Sequence, residues 1–155
     1  MADLRIDPVA LAQVDLRTRE PGLAPFPLPE ANRWSAGDGR EALWLGPDEW
    51  LVTGPAGTAD AIAADLAAAF AGTHVSVVDV SANRVAFDLS GDAVRDLLAM
   101  GCSLDVHPTR WREGDCAQTL FGRVGALLQQ RADATRISVR PSFAAHLLAF
   151  LDAIA

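Results

Sequence analysis

The chain has 155 residues, of which 50% are hydrophobic, and a formal net charge of −7 at pH 7. This length suits one compact domain, or two small layered halves, and the apolar content is enough for a sizeable core. The acidic balance argues against a nucleic-acid binder, because affinity for the phosphate backbone comes from clustered Lys and Arg. All 13 basic residues are arginines, and a chain without lysine has neither Schiff-base chemistry nor a P-loop.

No run of residues approaches the ~20 apolar residues of a membrane span. Residues 1–5 lack the basic and then apolar pattern of a secretory signal. We therefore expect a cytoplasmic protein that contacts no membrane. In that compartment Cys102 and Cys116 are expected to be free thiols.

Residues 1–40 are expected to form a Pro-rich N-terminal arm, and residues 41–155 an α+β domain. The prolines of residues 20–39 favour an extended segment over a helix, and they are Pro21, Pro25, Pro27 and Pro29. Apolar side chains between them indicate that the arm lies on a surface. The sequence leaves open whether that surface is the chain's own core or a partner.

From Glu41 onward the patterns are regular. Residues 42–45 and 50–53 are predicted to be strands joined by a turn, and Thr58 to cap a helix that Gly72 ends. Residues 75–80 and 85–89 predict two further strands. Ser90 is expected to cap a second helix, which Gly101 ends.

Residues 117–128 are predicted to form one long or bent strand, and residues 136–139 a shorter one. The last helix is expected to begin near Pro141 or Ser142, which suit a first turn, and to bury Phe143 among other apolar side chains. Helices that alternate with strand pairs predict a compact α+β sandwich with a mixed or antiparallel sheet.

Four residues close in sequence carry donors that zinc accepts, and they are Cys102, Asp105, His107 and Cys116. Structural zinc sites usually include a Cys-x2-4-Cys pair, which this chain lacks, so we predict no metal site and structural thiols. A Cys102–His107 nucleophile pair would need a contact that proximity in sequence does not establish. We therefore interpret His107 as a polar loop residue.

The remaining polar candidates have structural explanations. Asp48 and Glu49 suit a turn between strands, and Asp79 is expected to face solvent or to pair with Arg84. His74 and His146 are interpreted as exposed or cap-like residues. No glycine-rich nucleotide loop is present. We predict no catalytic and no cofactor-binding residue in this chain.

Aromatic and arginine side chains in the irregular segments are the candidates for an interface. Trp44 and Trp50 fall in predicted strands, which favours the core, whereas Trp34 and Trp111 do not. Trp and Arg dominate the energetics of protein interfaces. The predicted interface residues are Phe26, Arg33, Trp34, Arg110, Trp111 and Arg112.

A series of short segments, in order and spacing, resembles the gamma-subunit family of heterotetrameric sarcosine oxidases. The segments are residues 45–50, residues 79–81 with Arg84, residues 98–108, residues 114–120 and residues 142–144. The resemblance covers most of the chain from about Glu41. One departure is Pro141, which separates Arg140 from Ser142 where the family usually has arginine directly before serine.

The resemblance implies a fold like the folate-binding domain of glycine-cleavage aminomethyltransferases. It also implies an assembly with alpha, beta and delta subunits, contacted mainly through alpha, that oxidatively demethylates sarcosine to glycine. The one-carbon unit would pass to tetrahydrofolate, and FAD, FMN, NAD and zinc would be held by the partner subunits. This chain would be a non-catalytic subunit.

Two alternatives remain open at the level of sequence. The chain could be a stand-alone folate-binding or aminomethyl-transferring protein, since that is the fold implied. It could also be the equivalent subunit of an N-methylglutamate dehydrogenase, because substrate choice would lie in another subunit.

Overall fold

The computed structural model describes residues 3–155, and contacts divide them into two units, residues 10–82 and residues 3–9 with 83–155. Along the chain the elements are β1 (Arg5–Val9), β2 (Leu11–Thr18), β3 (Trp34–Gly37), β4 (Arg40–Gly46), β5 (Glu49–Pro55), α1 (Ala59–Ala69), β6 (Val75–Asp79), β7 (Val85–Ser90), α2 (Val94–Gly101), β8 (Cys116–Phe121), β9 (Val124–Gln130), β10 (Thr135–Val139) and α3 (Ala144–Ile154). The predicted α+β class with antiparallel sheets is confirmed.

The unit of residues 10–82 is an antiparallel sheet with strand order β3-β4-β5-β2-β6 and one helix. Alternate residues of β2, among them Val14 and Leu16, are fully buried and share a core with Ile62 and Leu66 of α1. The helix packs on the sheet because its apolar positions fall on one face.

The expectation of an N-terminal arm over residues 1–40 does not match the structure. This stretch contains β1, β2 and β3, and β2 lies inside its sheet between β5 and β6. The cause is the period-two alternation from Ala12 to Leu16, which is typical of a strand with one face on a core. Between β2 and β3, residues 19–33 form no strand, and Pro21–Leu23 make a 3-10 turn.

The Pro-rich segment packs on its own unit. Phe26 is 7% exposed within the core, the indole N–H of Trp50 donates a 3.0 Å hydrogen bond to the Pro29 carbonyl, and the Ser35 hydroxyl donates to the carbonyl of Pro27. These side-chain donors satisfy backbone carbonyls of a segment that is not paired in a sheet.

The second unit is an antiparallel sheet with strand order β1-β7-β10-β9-β8, packed against α2 and α3. Its core includes Leu89, Leu128, Ile137 and Leu147, all nearly inaccessible to solvent. Among the described residues the longest helices, α1 and α3, have 11 residues each, and none has the length and apolarity to cross a bilayer.

The prediction of one long strand over residues 117–128 is wrong. The structure has a β8–β9 hairpin, joined by Gly122 and Arg123 with φ angles of 53° and 72°. Two consecutive residues with positive φ are the geometry of a two-residue hairpin turn that follows the twist of the strands. Arginine is an unusual residue for this conformation, so the sequence does not mark the turn.

Helix α1 begins after Thr58 and α2 ends at Gly101, as predicted, whereas the predicted side-chain caps do not form and α2 and α3 begin later than expected. The Thr58 hydroxyl donates to the Pro55 carbonyl, and α2 begins after Ala93, not after Ser90. A 3-10 turn at Pro141–Phe143 precedes α3, and it leaves Phe143 42% exposed, where burial was expected.

Candidate interaction surface

The two cysteines and the polar residues between them make separate local contacts. Cys116 is fully buried, and Cys102 follows α2 with its thiol 3.2 Å from the Leu98 carbonyl. Neither cysteine forms a disulfide. Within residues 3–155, no group of three or more His, Cys, Asp or Glu side chains is arranged to hold a metal ion.

His107 organises an exposed loop. Its backbone N–H donates to the Asp105 carboxylate at 3.1 Å, and its Nδ1 lies 2.8 Å from the Thr109 hydroxyl. Its carbonyl accepts the backbone N–H groups of Arg110 and Trp111. These contacts make His107 the centre of a turn and agree with its interpretation as a loop residue.

Asp79 faces solvent, which is the first of the two alternatives expected for it. It lies at the end of edge strand β6. The Ser81 hydroxyl donates to its carboxylate at 2.6 Å and the Ser81 backbone N–H at 2.9 Å. These hydrogen bonds, the hydroxyl first, hold the pKa of Asp79 below its usual value. Ser81 also joins β6 to β2, since its hydroxyl accepts the N–H of Gln13.

The other polar candidates also have structural partners. Glu49 accepts a 2.7 Å hydrogen bond from Arg17 on the neighbouring strand β2, and the Asp48 carbonyl accepts the N–H of Thr18. His146 lies on α3 with Nε2 2.9 Å from the Gly122 carbonyl, so it links that helix to the β8–β9 turn.

Two of the predicted interface aromatics are buried in the cores of their own units. Phe26 is 7% exposed and Trp111 is 6% exposed, so the expectation that they present their rings at the surface is wrong. The reason is that an irregular backbone can still bring a large apolar ring into a core. Trp34 is half-buried at the start of β3.

The predicted interface arginines are more accessible. Arg33, Arg110 and Arg112 are exposed. Arg110 and Arg112 flank the buried Trp111, so its ring fixes the loop that carries them.

A feature that the sequence did not indicate is a groove of about 320 Å³ at one end of the sheet of residues 83–155. It is lined by Arg84 and Arg140, by the polar Gln118 and Thr119, and by the exposed ring of Phe143. None of the described residues that line it carries a carboxylate, although the net charge of the chain is −7. The groove is therefore a locally cationic site on an acidic protein.

Comparison with solved structures defines the class of fold. The glycine cleavage system aminomethyltransferase T from Bartonella henselae superposes with a TM-score of 0.71 over 97% of this chain and 45% of that chain, at 14% identity. At such low identity the likeness concerns the fold alone, and it confirms the expected aminomethyltransferase-like architecture.

Family comparison then gives the particular group within that fold. Residues 22–155 match the model of the sarcosine oxidase, gamma subunit family, and the chain belongs to this family. The heterotetrameric sarcosine oxidase from Corynebacterium sp. U-96, in complex with pyrrole 2-carboxylate, has a TM-score of 0.87 at 30% identity, over 97% of this chain and 83% of that chain.

Sequence relatives agree with the family assignment. Sarcosine oxidase subunit gamma from Corynebacterium sp. (strain P-1) is 35% identical over 115 residues, which are 74% of this chain and 56% of the relative. The same subunit from Arthrobacter sp. is 38% identical over 93 residues, 60% of this chain and 45% of the relative. The chain thus spans about half the length of these relatives.

Proposed function

We propose that this chain is a non-catalytic gamma subunit of a cytoplasmic heterotetrameric sarcosine oxidase, which oxidatively demethylates sarcosine to glycine and transfers the one-carbon unit to tetrahydrofolate. The observation that supports this most is the TM-score of 0.87 with the heterotetrameric enzyme, over 97% of this chain. FAD, FMN, NAD, tetrahydrofolate and zinc would be held by the alpha, beta and delta subunits.

The contacts of the polar side chains support a structural role for this chain. The side chains that could act as a general acid or base, Asp79, His107 and His146, each bond to a residue of a nearby turn, helix end or edge strand. A general acid or base would have to approach a reacting atom in a cleft. We infer that the main contact is with alpha, and that Arg33, Arg110, Arg112 and half-buried Trp34 take part.

The test compares the assembly with and without this chain. Co-expression of all four subunits should give sarcosine-dependent oxygen consumption, whereas the chain purified alone should have none and show no flavin absorbance. Stoichiometric flavin in the isolated chain, or sarcosine oxidation by it, would contradict the proposal.

A second candidate is favoured by the aminomethyltransferase T superposition, which covers 97% of this chain. On that view the chain would bind folate by itself. Titration of the isolated chain with tetrahydrofolate, followed by calorimetry, separates the two, since the proposed subunit should give no binding heat. A complex that oxidises N-methylglutamate instead of sarcosine would select the other alternative.

A further inference from the structure

We propose that the groove at Arg84 and Arg140 is a docking site for an acidic segment of a partner subunit, which places a carboxylate beside the two guanidinium groups. This inference rests on the proposed function, because it requires a partner. It names one contact surface of the chain and the chemistry that fits it.

The strand register brings the two arginines together. Val85 pairs with Val139, and Val139 pairs with Ala126, so the residues one step further bring Arg84, Arg140 and Gly125 into one row. Two arginines at neighbouring positions of one row make this part of the sheet attractive to a carboxylate, since guanidinium groups bind carboxylates through charge-assisted hydrogen bonds.

The floor of the groove is open beside Arg140. Gly125 is the neighbour of Arg140 in this row, and a Cβ added there would meet no atom within 4 Å. The same row ends at Leu120, the partner of Gly125 in β8, whose side chain is 65% exposed. The row thus runs from two cations, across an open floor, to an exposed apolar side chain.

The edge of the sheet beside the groove suits an extended partner segment. β8 is an edge strand, and its sequence from Cys116 to Phe121 contains no charged residue and no proline. Edge strands that stay free usually carry such residues to block pairing. Together with the cationic row, this favours an extended acidic segment with a neighbouring apolar side chain over a free small anion.

Two variants alter the groove without altering the core. Arg140→Gln removes one cation, and the Arg140 carbonyl that accepts the Phe143 N–H is retained. Gly125→Leu fills the floor at a position where the fold leaves space. Arg19→Gln, at an exposed arginine of the other unit, is the control for charge, and Gly125→Ala is the control for the loss of glycine.

The experiment co-expresses each variant with the other three subunits and measures the concentration at which this chain dissociates from the purified complex. We expect Arg140→Gln and Gly125→Leu to weaken association at least about tenfold at unchanged melting temperature, since anchors at the centre of an interface have effects of this size. The two controls should assemble as the wild type does. Added salt should weaken the wild type more than Arg140→Gln.

If both groove variants are folded and assemble as tightly as the wild type, this inference is overturned and the proposed function is left intact. Failure of the wild-type chain to assemble would overturn both. Hydrogen exchange gives an independent readout, because residues 116–121 of edge strand β8 should exchange more slowly in the complex. Unchanged exchange there, together with binding of succinate by the assembled chain, would show a small-anion site and contradict partner docking.

Discussion

Arg136 and Asp88 form a bidentate ion pair across the centre of the second unit, with Nε to Oδ1 at 2.7 Å and Nη2 to Oδ2 at 2.9 Å. The two residues face each other in the β10–β7 register, and the Arg136 side chain is only 10% exposed. Such a pair fixes the register of two strands, because a slip by one residue would separate the charges.

Asp88→Ala should destabilise the chain more than the double variant Asp88→Ala, Arg136→Met. The single change leaves a mostly buried guanidinium without its carboxylate, at a cost of about 2–3 kcal/mol, whereas the double change removes both charges. Urea unfolding of the wild type, both single variants and the double variant measures the coupling. Equal losses in the single and the double variant would contradict this role.

Trp111→Ala should destabilise the isolated chain by about 3–5 kcal/mol, because the ring is buried among apolar side chains of the core. Trp111→Phe should cost much less, since the Trp111 indole N–H has no acceptor among the described residues. Thermal unfolding compares the two variants. A Trp111→Ala chain that melts as the wild type does, yet fails to assemble, would restore the idea of an interface anchor.

Gly101→Ala should destabilise the chain by at least about 2 kcal/mol, because the added Cβ would collide with the ring of Phe121. The Gly101 carbonyl also accepts the Gly122 N–H at 2.9 Å, which ties the end of α2 to the β8–β9 turn. Gly125→Ala is the matched control and should change stability little, since its Cβ would meet open space. Chemical denaturation of the two variants side by side tests this, and equal midpoints would contradict the tight contact.

Ser81→Ala should raise the pKa of Asp79 toward its usual value, because the hydroxyl is the main cause of the lowered pKa. The backbone N–H of residue 81 remains, so part of the shift should persist. Since the folded-state pKa is the lower one, these hydrogen bonds stabilise the fold above the ordinary carboxyl range and cease to do so as the pH falls through the folded-state pKa. An NMR titration of the side-chain carboxyls reads the shift, with the other carboxylates as internal controls, and an unchanged Asp79 pKa would refute the assignment.

Sequence patterns predict the elements that have a clear period. The strands around Leu43 and Val52, the β-branched run from Val75, and the helices with Leu66 and Leu98 all have apolar residues at regular spacing. The first strands are missed because the prolines of residues 20–39 lead to the prediction of an arm over the whole of residues 1–40. The alternation in β2 is nevertheless present in the sequence.

Sequence patterns do not predict which side chains of irregular segments are buried. They also do not predict which residues of different strands lie next to each other. Phe26 and Trp111 lie in segments without a period, so only the tertiary fold decides that they are buried. Arg84 and Arg140 stand at the ends of two strands that look unrelated in sequence, and the register alone makes them neighbours. A prediction of the β8–β9 hairpin would also have placed Gly125 opposite Leu120, in the same row as the two arginines.

Native mass spectrometry of the complex purified from cells that co-express this chain with alpha, beta and delta subunits tests the central claim most directly. The account predicts a particle that contains one copy of this chain with the three others, and flavin that stays with the large subunits when the particle is dissociated. A chain that stays apart from those subunits, or leaves the particle carrying flavin or folate, would contradict it.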